Sequence, residues 1–244
     1  MKSRAYDTMM GGFRTTQWEL IAKATEPQGQ EREEALEELC RIYWPAVYTY
    51  IRRKGFSPVD AQDLTQEFLF HLVKGEMLNE VQAEKGRFRS YLAVCCNHHI
   101  SNHRDASQTL KRGGGIQFQS LDFESAELAY EAALVDDVNP EKEFTRRWIS
   151  VLLGRVMAQL EEDYAEDGKE ALFTALEPAL TGSKQELSYR ELAAQMKTTE
   201  ANVQVMVHRL RRKFSDILRE EIKSTLLDPS ELDEELRYLI TSLS

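Results

Sequence analysis

The sequence predicts an all-α fold of two small helical domains, joined by an acidic flexible linker and followed by a C-terminal helical extension. Apolar residues recur at spacings of three and four along most of the 244 residues, as in helices with one buried face. The 12 glycines and 6 prolines are too few for a turn-rich all-β chain. A triple glycine, Gly113–Gly115, then opens a segment that has six acidic and no basic side chains before Pro140.

The triple glycine sets the domain boundaries, because each glycine in a helix costs about 1 kcal/mol relative to alanine. We expect a first domain over residues 16–112, a linker over 113–139, a second domain over 140–223 and an extension over 224–244. Helices are expected over about 33–51, 59–74, 88–107, 125–134, 141–163, 168–180, 188–196 and 200–224, with a last one after Pro229. Pro45 is expected to kink the first of these helices or divide it in two.

Composition and cysteine usage indicate a cytoplasmic protein that is not an enzyme. Three cysteines do not make a disulfide framework, and no stretch reaches the roughly 20 apolar residues that would span a bilayer, so no membrane insertion is expected. We find no nucleophile elbow and no phosphate-binding glycine loop. Cys95, His99 and His103 are spaced four residues apart, but no second ligand cluster accompanies them. We therefore expect no metal and no cofactor.

The net charge of −10 hides two basic islands in an acidic chain. Residues 1–112 have 16 basic and 15 acidic side chains, whereas residues 113–244 have 15 basic and 26 acidic ones. Within the first part, residues 85–112 carry six basic side chains against Asp105 alone, and a second basic cluster occupies 209–213. A local positive field attracts phosphate even when distant acidic groups dominate the total charge.

The segment 188–213 has the pattern of a helix-turn-helix. Ser188 and Glu191 form a capping box, and Thr199 is placed to cap a second helix whose Val203, Val207 and Leu210 share one face. The opposite face offers amide and basic groups, which suit base edges and phosphates in the major groove. We expect the DNA-contacting residues to be Thr199, Glu200, Asn202, Gln204, Val205, His208, Arg209 and Arg212. An ordinary helical hairpin with a solvated basic end remains the alternative.

An acidic face is predicted on the helix over 59–74. Ala61, Leu64, Phe68 and Leu72 should face the core, while the opposite face carries carboxylates that repel each other mildly. A basic partner would relieve this repulsion, and an aromatic side chain would anchor it. The candidate partner-binding residues are Asp60, Asp63, Gln66, Glu67 and Phe70. A merely solvated face is the alternative interpretation.

The third pattern interleaves cations with aromatic rings at the start of the helix over 88–107. This arrangement suits single-stranded nucleic acid, because bases stack on rings while phosphates meet arginines. The candidate residues are Lys85, Arg87, Phe88, Arg89, Tyr91, Asn97, His98, Ser101, Asn102 and Arg104. The alternative is that Phe88 and Tyr91 belong to the core.

Together these segments resemble a bacterial RNA polymerase sigma factor of the extracytoplasmic-function (ECF) type, over about residues 18–221. The family's region 2.2 is similar to Asp60-Ala61-Gln62-Asp63-Leu64-Thr65-Gln66-Glu67-Phe68. Its promoter-melting helix is similar to Phe88-Arg89-Ser90-Tyr91-Leu92 with Asn97. Its region 4 is similar to Tyr189-Arg190-Glu191-Leu192-Ala193. Three further segments resemble a planctomycete-like subgroup of this family. They are Phe13-Arg14-Thr15-Thr16-Gln17-Trp18, Lys111-Arg112-Gly113-Gly114-Gly115 and Arg146-Arg147-Trp148. Ala201-Asn202 and Val205-Met206 depart from the family's usual Gly-Thr and Ser-Arg, so one phosphate-binding arginine is missing from the pattern.

The resemblance implies a sigma factor that directs promoter recognition and transcription initiation. The acidic face would bind core RNA polymerase, and residues 85–104 would bind the minus-ten element and its melted non-template strand. The helix over 200–213 would read the minus-thirty-five element in double-stranded promoter DNA. An anti-sigma factor or other regulator is a further implied partner, and the acidic linker would thread through the positive channel of the polymerase.

Two other functions stay open at this point. One is a dimeric helix-turn-helix regulator that acts without polymerase, and the other is a helical protein-interaction module. The extension over 224–244 is amphipathic and is expected to pack on the second domain or on a partner.

Overall fold

The computed structural model describes residues 17–75, 77–78, 87–107, 121–132, 139–181 and 188–243. Over these ranges the chain forms α-helices and one 3₁₀ turn and contains no strand, which confirms the all-α class. The helices are α1 (Gln17–Ala24), α2 (Gln30–Arg53), α3 (Pro58–Val73), α4 (Phe88–Ser107), α5 (Phe123–Ala132), α6 (Pro140–Glu166), α7 (Glu170–Leu176), α8 (Pro178–Thr181), α9 (Tyr189–Gln195), α10 (Glu200–Lys223) and α11 (Leu232–Leu243).

Three of the helix starts are fixed by side-chain caps, and two of these, at Ser188 and Thr199, are the ones that the sequence predicts. The hydroxyl oxygens of Ser57, Ser188 and Thr199 each accept a hydrogen bond, 3.2 Å long, from the backbone N–H three residues ahead. Such a cap satisfies one of the amides that the first helical turn leaves without a partner. The starts of α3, α9 and α10 therefore follow from local sequence.

Pro45 does not divide α2 into two helices, so that part of the prediction is wrong. The helix runs from Gln30 to Arg53 across the proline. Proline removes one helical hydrogen bond, but the residues around it, Tyr43, Ala46 and Val47, are fully buried. Packing of this apolar face keeps the helix intact, since tertiary contacts supply most of the stability of helices in proteins.

The buried apolar side chains form two separate cores, and both α6 and α10 contribute to each of them. The first core combines α1–α5 with the N-terminal half of α6, including Phe144 and Trp148, and with Ile222 near the end of α10. The second core contains Leu160 near the C-terminal end of α6, together with α7–α10. Residues on both sides of the predicted linker thus contribute to the first core. The division into domains at 112 and 140 stays a prediction.

Part of the predicted flexible linker is a helix that is fixed to α2. The Phe123 ring packs edge-on against Trp44, with centroids 5.3 Å apart. The Glu127 carboxylate accepts hydrogen bonds from Arg52 at 2.6 and 2.8 Å and from the Tyr48 hydroxyl at 2.5 Å. The Arg52 guanidinium holds the pKa of Glu127 below its ordinary value. These contacts anchor α5, whereas residues 113–120 and 133–138 lie outside the described ranges.

The C-terminal extension folds back onto the rest of the chain. After α10, a 3₁₀ turn at Pro229–Glu231 leads into α11, which packs against α6 and α10. Leu239 of α11 is buried in the first core. Near the C-terminal end of α11, Arg146 Nε donates a hydrogen bond to the Ser242 carbonyl at 2.8 Å. The extension thus packs on residues 140–223, which is one of the two expected places, and it also reaches the first core through Leu239.

Candidate functional site

The acidic surface on α3 has the orientation that the sequence predicts. Ala61, Leu64, Phe68 and Leu72 are buried in the first core. On the other side, Asp60, Asp63 and Glu67 are exposed, and Gln66 and Phe70 are partly exposed. One face of α3 thus presents three carboxylates within about two turns, with an aromatic ring at the C-terminal end.

Two neighbouring groups shape this acidic surface. The Ser57 hydroxyl donates a hydrogen bond to Asp60 Oδ2 at 2.6 Å, which orients that carboxylate. The ammonium group of Lys74 lies 4.3 Å from the centre of the Phe70 ring. A cation over an aromatic face is held by the ring quadrupole. The surface is therefore acidic over most of its length and gains a positive charge only at its end.

His99 links the acidic surface to the inside of the first core. Its Nε2 atom is 3.6 Å from the Glu67 carboxylate, and its ring lies 5.8 Å from Phe68 and 5.9 Å from His71. Burial lowers the pKa of His99 from its ordinary 6.5, and the nearby His71 and His103 lower it further, while Glu67 opposes the shift. His99 is therefore mostly neutral at pH 7.

We expect His99 to make the protein less stable as the pH falls through 6.5. The unfolded chain takes up a proton at the ordinary histidine pKa, whereas the folded chain resists protonation until lower pH. The free energy of unfolding should therefore drop between pH 7.5 and 5.5, and His99→Gln should reduce that drop. Urea unfolding at both pH values measures it. His208→Gln, which changes an exposed histidine, serves as the control, and an equal drop in both variants would contradict the expectation.

In the segment 188–213, for which the sequence predicts a helix-turn-helix, the helices α9 and α10 are joined by a short turn. The turn between them contains Lys197 in the left-handed region, with φ of 52°, so the chain turns sharply without a glycine. Val203, Val207 and Leu210 of α10 are buried in the second core beside Ala193 of α9. One stripe of α10 thus holds it against α9 and the rest of this core.

The other face of α10 is exposed to solvent along its first three turns. The Thr199 hydroxyl oxygen caps α10 by accepting a hydrogen bond from the Asn202 backbone N–H. The Asn202 side chain donates a hydrogen bond to Thr198 Oγ1 at 3.0 Å. The predicted DNA-contacting residues Thr199, Glu200, Asn202, Gln204, Val205, His208, Arg209 and Arg212 are all exposed. Val205 exposes 49% of its surface. The structure therefore brings all eight predicted residues to one accessible end of α10.

The basic cluster at 209–213 divides into two pairs. Arg211 donates a hydrogen bond to the Ala179 carbonyl at 2.9 Å, and Lys213 forms an ion pair with Asp163 at 3.0 Å. These two cations tie α10 to α8 and α6. Arg209 and Arg212 are exposed and take no part in those two contacts, so they are the pair best placed to meet a phosphate backbone.

The start of α4 is arranged differently from the DNA-binding surface that the sequence predicts. Phe88 is buried, and its ring packs edge-on against Tyr43 with centroids 5.3 Å apart. The Tyr91 hydroxyl donates a hydrogen bond to the Met77 carbonyl at 2.6 Å. Phe88 lies four and eight residues before the buried Leu92 and Cys96, so the helical period places it in the core. The sequence left open whether Phe88 contacts nucleic acid or belongs to the core, and the structure places it in the core.

The C-terminal helix buries Arg89 and contacts Arg87, whose side chain stays 30% exposed. Only 4% of the Arg89 side chain is exposed, and its Nη1 lies 2.5 Å from a carboxylate oxygen of Glu235 in α11. Arg87 forms an ion pair with the same carboxylate. Glu235 is completely buried. Sequence reasoning missed Glu235, because no local pattern links an acid in α11 to arginines almost 150 residues earlier.

The later residues of α4 are more accessible. His98, Ser101, Asn102 and Arg104 are exposed, and Arg104 Nη2 donates a hydrogen bond to the Lys54 carbonyl at 2.9 Å. Asn97 is partly buried and lies 3.5 Å from the Tyr50 hydroxyl. Lys85 lies outside the described residues. The predicted minus-ten residues are thus split between an exposed end of α4 and a covered start.

The described part of the chain contains no group of three or more His, Cys, Asp or Glu residues that could hold a metal ion. Cys96 is buried, and burial raises the pKa of its thiol, so it behaves as an apolar core residue. Over the same ranges, none of the helices has both the length and the apolar character that crossing a membrane requires.

Comparison with known proteins adds no relative to these observations. No protein-family model matches the chain, and neither a curated protein nor a solved structure gives a match.

Proposed function

We propose that this protein is a bacterial sigma factor of the ECF type, which recruits core RNA polymerase to promoters and starts DNA-templated transcription. The observation that carries the proposal is the α9–α10 unit. Its second helix is buried along one stripe and exposes amide, imidazole and guanidinium groups along the other. This is the construction that a recognition helix needs in order to enter the major groove.

In this proposal, α10 reads the minus-thirty-five element. Gln204 is suited to paired hydrogen bonds with an adenine edge, and the exposed Val205 offers an apolar contact for a thymine methyl group. Arg209 and Arg212 neutralise phosphates one turn further along the helix. Because Val205 and Met206 replace the polar pair usual in the resembled family, the preferred base sequence should differ from that of typical members.

The acidic surface on α3 binds the polymerase in this proposal. Three exposed carboxylates with an aromatic neighbour suit a basic helical surface, because opposite charges speed encounter and fix the register of the contact. Phe70, which is partly exposed, supplies the apolar anchor that a charged rim needs for affinity.

The minus-ten element is assigned to α4. His98, Ser101, Asn102 and Arg104 are exposed and offer hydrogen bonds to bases and phosphates of the non-template strand. Arg87 and Arg89 are also assigned to this strand, although α11 buries Arg89 and covers part of Arg87 in the structure. Phe88 is assigned to the core, so it supports α4 rather than stacking on a base.

The proposal is tested by mixing the purified protein with bacterial core RNA polymerase and analysing the mixture by size-exclusion chromatography. The complex is then used to select fragments from a bacterial genomic library, and run-off transcription is measured on the selected fragments. Complex formation at micromolar protein and a defined start site would support the proposal. Failure to bind core polymerase would overturn it. Specific DNA binding by a dimer without polymerase would favour the regulator instead, and no binding to either would favour the protein-interaction module.

A further inference from the structure

We infer that α11 is an internal mask, which buries Arg89, covers part of Arg87 and must be displaced before single-stranded promoter DNA can bind both arginines. The inference rests on the proposed function, because it assumes that these arginines meet DNA phosphates. It assigns a regulatory role to the C-terminal extension, for which the sequence predicts only packing.

The Glu235 carboxylate takes the position that a phosphate would take. It is completely buried and forms ion pairs with both arginines, at 2.5 Å in the case of Arg89. A buried carboxylate is tolerated only when cations compensate its charge. Because one carboxylate compensates only one of the two guanidinium charges, the paired arginines attract the DNA backbone less strongly than two unpaired arginines would. Glu235 and a phosphate group therefore compete for the same two guanidinium groups.

The rest of α11 closes the site from above. The Tyr238 ring lies 5.3 Å from the Arg87 guanidinium carbon and 5.4 Å from that of Arg89. The Trp148 ring of α6 lies 5.0 Å from the same atom of Arg89. Arg89 thus contacts two aromatic rings, and a base that stacks on this guanidinium would have to replace one of them.

Several features indicate that the mask opens readily. The Glu235 oxygens and Arg87 Nε contact each other without hydrogen bonds of standard geometry, so this buried ion pair repays less of its desolvation. A cavity of about 580 Å³ lies beside Arg89 between α4, α6 and α11. Isolated helices shorter than about 12–15 residues are marginal in water, and α11 has 12 residues. Displacing α11 breaks the contacts of Glu235, Tyr238 and Leu239, the ion pair between Asp233 and Arg219, and the hydrogen bond from Arg146 to the Ser242 carbonyl.

Charge exchange supplies the driving force for opening. When a DNA strand arrives, its phosphates can replace Glu235 on the arginines, and the released carboxylate regains water. The exchange keeps the number of opposite-charge contacts constant, so its free energy is small and depends on salt. Masking of this kind lowers DNA binding by the protein alone without removing any DNA-contacting group.

Two full-length variants test the mask. Glu235→Gln removes the competing charge at constant side-chain size, and Arg146→Ala removes the hydrogen bond to Ser242 without touching Glu235. Glu234→Gln and Arg237→Ala are the matched controls, because both residues are exposed on the same helix. The probe is a fluorescein-labelled single-stranded 20-mer of random sequence, with affinity measured by anisotropy between 50 and 200 mM salt. In the same samples, phenylglyoxal labelling and mass spectrometry measure the accessibility of Arg87 and Arg89.

Both test variants should bind the 20-mer about tenfold more tightly at the lowest salt, and the controls should match the wild type. Two newly available arginines should also steepen the salt dependence by about 1.4, since each phosphate contact with a single strand contributes about 0.7. Unchanged affinity and unchanged phenylglyoxal labelling in both test variants would overturn the mask. Increased labelling without any DNA binding would overturn the DNA role of these arginines, and core polymerase binding then decides separately whether the proposed function survives.

Discussion

The double substitution Asp63→Arg with Glu67→Arg is expected to abolish binding to core RNA polymerase, lowering the affinity by more than about a hundredfold. Both side chains are exposed on α3, and their reversal replaces two attractive charges with two repulsive ones at the proposed contact. Like charges placed opposite each other across an interface cost several kcal/mol, and about 1.4 kcal/mol corresponds to a factor of ten. Binding is measured by size-exclusion chromatography and by anisotropy with labelled protein.

The fold should survive this change, because substitutions at exposed helix positions usually alter stability by less than about 0.5 kcal/mol. Circular dichroism and the urea midpoint check this point. The control is Glu162→Arg with Glu166→Arg, which makes the same charge change at the same four-residue spacing on an exposed part of α6. If the α3 variant still binds polymerase, or if the α6 variant fails as completely, α3 is not the docking surface.

The substitution Arg209→Ala with Arg212→Ala is expected to weaken binding of the holoenzyme to double-stranded promoter DNA by about ten- to a hundredfold. Each arginine is assigned to one phosphate, and loss of one phosphate contact reduces the slope of log affinity against log salt by about 0.9. The slope should therefore become shallower by about 1.8, with little change in the preferred sequence. The measurement is a salt titration on a fragment selected by the holoenzyme.

Lys169→Ala with Arg237→Ala is the charge-matched control for this titration. Both residues are exposed and lie outside α10, and Lys169 pairs with its near neighbour Asp167. This variant should keep the wild-type slope. A wild-type slope in the Arg209 and Arg212 variant would mean that this face of α10 does not contact the DNA backbone.

Local sequence patterns predict most of the helices and two of the three candidate surfaces. Caps such as Ser57 and Thr199 act on the next turn of the same helix, so their effect is visible within a few residues. The acidic face of α3 and the outer face of α10 also follow from helical period, because their neighbours Leu64 and Val207 are buried as the period requires. The functions assigned to these surfaces stay predictions.

The start of α4 could not be predicted in the same way. Alternating cations and rings fit either a nucleic-acid surface or a core edge, and the choice depends on what packs there. Tyr43 receives the Phe88 ring, and Glu235 receives the two arginines. These contacts join segments that lie tens to about 150 residues apart, so only the folded chain reveals them.

The sharing of α6 between the two cores has a geometric consequence for promoters. This helix has 27 residues, and at 1.5 Å per residue it extends about 40 Å. Trp148 embeds one part of this rod in the first core, and Leu160 embeds another part in the second. Helix α10, whose Ile222 lies in the first core and Leu210 in the second, runs beside α6, and the two helices together set the distance between the surfaces assigned to the two promoter elements. If α6 stays whole in the holoenzyme, the spacer between those elements should tolerate hardly any insertion or deletion of base pairs.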